Sequence, residues 1–317
     1  MNKLVTGAAL IPVAQDTPFV SMSPVTIRTP GRFVDIDMRV SAPTTGSDLP
    51  LIIFSHGHGA SNYLSSSKGC LPLTEFWAAH GFVVIQPTHL NSSTLSPDEP
   101  EAPLFCRSRA HDIKHILDRL DDIVAQVPGL SGRIDKQRIA VAGYSLGGHT
   151  ASMLLGMQLH DVGGAAVTDL RDDRIKCGVV LAGPGKGSDL NGPAGERYPD
   201  LKKNSFDGMT TPALIVAGAD DVNPAFSDRA SWRSDPYHLS PAPKCLLTLA
   251  GARHGLGGIA GYDAAETTDE NPERVAVVQR LTWAYLWSAL NPGDDAWPKA
   301  CAAMQGNGAG FGHIECK

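Results

Sequence analysis

Three side chains and two backbone amides on this chain have the types and spacing to run acyl transfer: Ser145, Asp221 and His254, with the N–H groups of His58 and Leu146. A serine hydroxyl is a weak nucleophile at neutral pH and needs a base to take its proton. Ser145 lies in Gly143-Tyr-Ser-Leu-Gly147, between a short apolar run (139–142) and the apolar stretch 150–155, which reads as a buried helix. Strand, G-x-S-x-G and helix in that order form a nucleophile elbow. In so sharp a turn, side chains two positions either side of the serine would strike neighbouring backbone, and glycine has no Cβ to do so. The strain lifts the Ser145 hydroxyl to where a histidine and a substrate carbonyl can both reach it. A bare G-x-S-x-G is common by chance; its place between strand and helix gives it content.

The acid and the base should follow the serine in that order. Ala217-Gly-Ala-Asp-Asp221 supplies the acid. A spacing of three from the strand-ending Gly218 selects Asp221 as the expected acid, whereas counting back from Pro224 favours Asp220. Gly251-Ala-Arg-His-Gly255 follows the last expected strand and supplies His254 as base. Of the eleven histidines, His160, His238 and His313 lack the position a triad needs. A tetrahedral intermediate also needs donors for its oxyanion. The Leu146 N–H opens a helix whose dipole favours negative charge. The His58 N–H lies in His56-Gly-His-Gly59, where two glycines let backbone approach a substrate. Losing one such donor typically costs about 3 kcal/mol of transition-state stabilisation. The side chains of His56 and His58 read as ordered loop histidines.

His-Gly-His-Gly, Gly-Tyr-Ser-Leu-Gly-Gly, Gly-Ala-Asp-Asp and Arg-His-Gly, in this order, resemble the α/β-hydrolase superfamily. The similarity covers about residues 25–290. It points to the dienelactone-hydrolase-like branch, with its chlorophyllase-like, platelet-activating-factor-acetylhydrolase-like and polyester-hydrolase-like esterases. Dienelactone hydrolases proper carry cysteine at the nucleophile, and this chain departs from them at Ser145. The resemblance implies hydrolysis of a small or polymeric carboxylic ester through an acyl-serine intermediate, without a cofactor. The same triad could attack an amide, peptide or thioester, and a non-catalytic binding role on this fold is a third reading.

The elements that must hold these residues follow from periodicity. Residues 33–40 alternate as half-buried antiparallel strands do. Continuous apolar runs at 51–54, 82–85, 175–181, 213–217 and 245–249 suit strands buried on both faces of a parallel sheet. Helices are expected at 73–80, 107–127 and 272–290, the second with one apolar stripe through Ile113, Ile116, Leu117, Leu120, Ile123 and Val124. Alternating strands and helices predict an α/β fold with a mostly parallel central sheet covered on both faces. Residues 1–24 read as an irregular arm, 25–295 as one catalytic domain and 296–317 as a glycine-rich tail. Residues 183–208 and 222–243, the latter with Trp232 and Tyr237, are expected at a pocket rim. The segment 255–261 is expected to be flexible.

Composition narrows the partners. The 317 residues are 42% apolar and 19% charged, ordinary for a globular protein with a sizeable core. A net charge of -6 argues against nucleic acid as the natural partner. No apolar run approaches the ~20 residues of a membrane span. The apolar stretch after Lys3 is short and broken by Thr6 and Gly7, a poor secretory leader. The six cysteines contain no C-x-x-C pair. Cys177 and Cys245 are expected as free thiols in core strands, and Cys70–Cys106 and Cys301–Cys316 as disulfides. His111-Asp-Ile-Lys-His115 has the i, i+4 spacing of helical zinc sites, yet no third ligand is evident, so no metal is expected; Arg107, Arg109 and Asp112 there read as ties between loops.

Overall fold

The computed structural model describes residues 6–95, 97–161, 166–261, 264–306 and 308–317; Lys3 of the leader-like stretch lies outside them. Twelve strands are found among these residues: β1 (Phe19–Ile27), β2 (Ile36–Pro43), β3 (Leu49–Ser55), β4 (Val83–Pro87), β5 (Ile134–Tyr144), β6 (Gln158–His160), β7 (Val167–Thr168), β8 (Ile175–Leu181), β9 (Asn204–Ser205), β10 (Ala213–Gly218), β11 (Lys244–Leu249) and β12 (Gly312–Cys316). Nine of them form one sheet in the order β1-β2-β4-β3-β5-β8-β10-β11-β12. The six from β4 to β11 are parallel, while β1, β2 and β12 add antiparallel edges. This is the mostly parallel α/β architecture that the apolar runs predict.

Alternate residues of each inner strand feed opposite cores. On β3, Leu51 and Ile53 join one cluster and Ile52 and Phe54 the other; on β5, Ile139 and Val141 oppose Ala140 and Ala142. One face is covered by α3 (Cys106–Asp118), α4 (Leu120–Ala125) and α5 (Leu146–Leu154), whereas α2 (Leu71–Ala79) and α8 (Pro272–Leu290) cover the other. The short α1 (Asn62–Ser65), α6 (Gly192–Arg197) and α7 (Asp235–His238) lie in connections, and α9 (Ala296–Gln305) follows α8. Trp77 on α2 donates its indole N–H to Thr282 on α8 at 3.1 Å, satisfying a polar atom inside an apolar layer.

Several expectations are corrected. The helix expected over 107–127 breaks at Arg119, whose ψ of 23° leaves the helical range, although the apolar stripe continues across the break. The amino-terminal arm already enters the sheet at Phe19, and Ala8 and Ile11 are buried beneath α8. The expected tail supplies α9 and the edge strand β12; a glycine-rich composition had concealed a strand that gains its order from pairing with β11. The segment 255–261 is turn after turn of largely buried backbone, with Asp269 accepting the Gly257 N–H at 3.0 Å.

The disulfide expectations fail for a topological reason. Cys70 and Cys106 are buried free thiols on opposite faces of the sheet. Cys301 is also free, and Cys316 instead bonds Cys245, its direct partner across β11 and β12, at a Cα separation of 4.1 Å. A pairing set by strand register cannot be read from spacing along the chain.

Candidate active site

The site gathers at the carboxyl ends of the parallel strands, where ligands bind in open α/β sheets. Between β5 and α5, Ser145 adopts φ 56° and ψ -116°, a left-handed region that non-glycine residues rarely enter. The flanking glycines are required sterically. A Cβ on Gly143 would sit 2.0 Å from the Gly147 carbonyl oxygen, and one on Gly147 would sit 1.8 Å from that of Ser55. The elbow is therefore pressed directly against the end of β3.

Asp221 and His254 arrive from the loops after β10 and β11. Gly218, the last residue of β10, lets these two loops meet, since a Cβ there would lie 2.3 Å from the Ala252 carbonyl oxygen. His254 Nδ1 lies 2.8 Å from Asp221 Oδ2, and its Nε2 lies 3.0 Å from Ser145 Oγ. A carboxylate only accepts, so Nδ1 carries the proton and Nε2 is left to accept the Ser145 hydroxyl hydrogen. Asp220 is exposed, and its backbone N–H donates to the Ala252 carbonyl at 2.9 Å. Of the two carboxylates in sequence, tertiary structure brings only Asp221 to the histidine.

Asp221 is 5% exposed, and two groups keep it ionised. Burial by itself would raise its pKa, but the hydrogen bond and charge of His254, together with the charge of Arg233, outweigh that and hold the carboxyl below the usual carboxylate range. Arg233 Nε lies 3.3 Å from Asp221 Oδ2, with its guanidinium 4.7 Å over the Trp232 ring. Tyr144 donates its hydroxyl to the His254 carbonyl at 2.9 Å, anchoring the loop that carries the imidazole. Neither Arg233 nor Tyr144 had been singled out from sequence. Tyr144 lies within the elbow itself, and its position beside Ser145 was the available clue.

His58 and Leu146 flank the Ser145 hydroxyl in one cleft. Among the described residues, neither backbone N–H has an acceptor within the chain. The His56 side chain is inward and structural: Nδ1 donates to the Gly57 carbonyl at 2.8 Å and Nε2 accepts the His89 N–H at 3.0 Å. Burial and the nearby Arg109 charge hold that imidazole well below its usual pKa, hence neutral. His58 is partly exposed, with its ring 6.2 Å edge-on from Tyr198.

The cleft above Ser145 has a volume of about 230 Å³ and one aromatic wall. Tyr198 and Phe226 are parallel at 5.9 Å, and Phe226 and Trp232 follow at 6.4 Å. The Trp232 indole N–H donates to the Lys186 carbonyl at 3.0 Å, so the wall is fixed to the 183–208 segment. That segment and 222–243 do form the rim, whereas Tyr237 is buried outside the cleft. Tyr198 was missed in the sequence because its neighbours there are polar and loop-forming.

His160, His238 and His313 are exposed, and the imidazole that meets Ser145 and Asp221 is that of His254. In the His111–His115 segment, Asp112 turns into the protein to meet Arg32 and His89, and His115 Nε2 donates to the Arg28 carbonyl at 3.2 Å. Among the described residues no group of three or more His, Cys, Asp or Glu is placed to hold a metal ion, and no helix is long and apolar enough to cross a membrane.

Comparison with known proteins bears on the family of the fold. The family model described as "Alpha/beta hydrolase family" matches residues 52–315. The platelet-activating factor acetylhydrolase of Bos taurus is 29% identical over 176 residues, covering 43% of this chain and 35% of that protein. The protein of the same name from Cavia porcellus is 27% identical over 177 residues, with the same two coverages. The match thus spans about a third of each relative's length.

Proposed function

Since the chain belongs to the alpha/beta hydrolase family, we propose that it cleaves carboxylic esters through an acyl-serine intermediate on Ser145. The observation that carries this reading is the unbroken line Ser145 Oγ, His254, Asp221, with contacts of 3.0 and 2.8 Å, at an elbow of positive φ. His254 Nε2 takes the hydroxyl proton as Ser145 Oγ attacks the ester carbonyl. The carbonyl oxygen becomes negative and is received by the N–H groups of His58 and Leu146, preorganised donors that need no reorientation. Asp221 stays ionised and balances the imidazolium. His254 then protonates the leaving alcohol, and water repeats the sequence to free the acid.

The cleft supports a short acyl or aryl group at the reacting carbonyl. Its volume of about 230 Å³ lies below the roughly 300–1,000 Å³ typical of drug-sized ligand sites. The word acetylhydrolase in the relatives' names is consistent with a small acyl group.

Ser145→Ala should lower p-nitrophenyl acetate turnover by about 10⁴-fold or more while leaving the circular dichroism unchanged. A fluorophosphonate should label the parent protein and not the variant. Turnover should be at least tenfold greater for acetate and butyrate than for decanoate. Undiminished activity in Ser145→Ala would sink the assignment, and a preference for decanoate would sink the short-acyl reading alone.

A further inference from the structure

Beneath the cleft lies a second line of serine, histidine and aspartate. Ser55 Oγ is 3.0 Å from His89 Nε2, and His89 Nδ1 is 2.8 Å from Asp112 Oδ2, the same two distances as in Ser145–His254–Asp221. Here all three residues are buried, with Ser55 and His89 at 0% exposure, so no substrate reaches the hydroxyl. Asp112 is held on its far side by Arg32, whose Nε and Nη2 lie 2.8 and 3.1 Å from its two oxygens. At its near end the chain terminates on Arg109, whose Nη2 donates to Ser55 Oγ at 2.9 Å.

Arg109 is itself completely buried and reaches three separate segments. Nη2 also donates to the carbonyl oxygen of His56, at the root of the loop that carries His58. Nη1 donates to Asn91 Oδ1, and the Asn91 amide in turn donates to the Gly57 carbonyl at 3.2 Å. Nε donates to Thr150 Oγ1 at 2.8 Å, and that hydroxyl donates to the Leu146 carbonyl at 3.2 Å. One planar guanidinium therefore ties the segment carrying one candidate oxyanion donor to the helix turn carrying the other. A lysine has the charge but not the fixed fork needed to do this.

We infer that Arg109 is a positioning residue for the oxyanion hole: it sets the His58 loop against the Leu146 turn, and the Ser55–His89–Asp112 chain holds its guanidinium in place. The inference rests on the serine-esterase reading of Ser145. It gives a role to a helix whose His-Asp-x-x-His pattern has no other assigned work. Among the described residues Arg109 has no carboxylate within ion-pair distance, and Asp112, reached through Ser55 and His89, is the carboxylate whose charge bears on it. Burial lowers its pKa to about 9, which leaves it protonated at neutral pH.

The test compares Arg109→Lys, Arg109→Met and Thr150→Val with the parent protein. Thr150→Val is nearly isosteric and removes the acceptor that links Arg109 to the Leu146 turn. Each is assayed for kcat and KM on p-nitrophenyl acetate, per site titrated to completion with a fluorophosphonate. The Ki of an aryl trifluoromethyl ketone is measured alongside, because its adduct with the serine carries the oxyanion. Removing one direct donor costs about 10²–10³ in kcat, and a displaced hole should lose part of that. Thr150→Val should lower kcat roughly 5-fold and Arg109→Met roughly 50-fold, with KM within about threefold and Ki raised in proportion to the loss in kcat/KM. Arg109→Lys should recover part of the loss. A purely structural role predicts fewer titratable sites with normal kcat and Ki at each. That result, or a rise in KM alone, overturns the inference, and Thr150→Val decides it if the Arg109 variants do not fold. Loss of activity in Ser145→Ala beside a wild-type Thr150→Val would remove this inference and leave the esterase reading intact.

Discussion

Asp220 and Asp221 are neighbours of identical chemistry, and only one of them is within reach of His254. Successive residues leaving a strand end point in different directions, so one residue of offset sends a carboxylate to solvent rather than to the imidazole. Asp221→Asn should therefore reduce kcat by about 10⁴, since an amide in that place favours the wrong histidine tautomer. Asp220→Asn should leave kcat within twofold. Steady-state kinetics on the two purified variants checks this, and the reverse ranking would transfer the acid role to Asp220. The count from Gly218 points to Asp221 and the count back from Pro224 to Asp220, so the chain order left two candidates and the fold brings one of them to the imidazole. Arg233 was not legible in the same way, and Arg109 read only as one of several ties between loops, with nothing to say which loops or how deep. An arginine in an ordinary helix or loop reads as solvent-exposed, and only the fold shows that both are buried against the active-site loops.

At the scale of elements, local patterns were informative wherever an element supplies its own burial. The inner strands β3, β8 and β10 are buried almost throughout, Lys176 on β8 being the exposed position, because both faces are covered, and α8 presents a continuous buried surface. Elements whose order comes from a neighbour were not legible. The strand β12 alternates weakly and is mostly exposed, yet it completes the sheet by pairing with β11 and by bonding Cys316 to Cys245 across 71 residues of sequence. Closing a loop of that length stabilises the fold by about 4 kcal/mol in the chain-entropy account. Cys316→Ser should lose roughly that much in denaturant unfolding under non-reducing conditions. Thiol titration of the denatured, unreduced parent should find four free cysteines. Six would remove the disulfide, and a stability change below about 1 kcal/mol would remove its energetic role.

Over the whole molecule, the buried polar layer beneath the cleft makes stability depend on pH. Burial, reinforced by the Arg109 charge, holds His56 and His89 well below the usual 6.5, and burial brings His149 to about 4. All three become ordinary histidines on unfolding and take up protons that the folded chain refuses. Asp112 opposes them: burial, against the pull of Arg32, raises its carboxyl from 3.8 to about 6, so the folded chain binds that proton first. Near pH 5 three histidines that refuse a proton on folding outnumber the one carboxyl that keeps it, so at these groups the unfolded state binds more protons and stability rises with pH through this range. Thermal unfolding followed by circular dichroism should give a higher Tm at pH 7.5 than at pH 5. A Tm that is flat or rises toward acid would contradict the neutral burial of these histidines. What the order of residues decided alone was the α/β plan and the serine, acid and histidine sequence, because apolar periodicity and glycine requirements act over a few neighbours. Which aspartate meets His254, which cysteines join, and what lies beneath the His58 loop depended on strand register and on contacts between residues 33 to 71 apart. Those are properties of the folded sheet, and no short stretch of chain contains them.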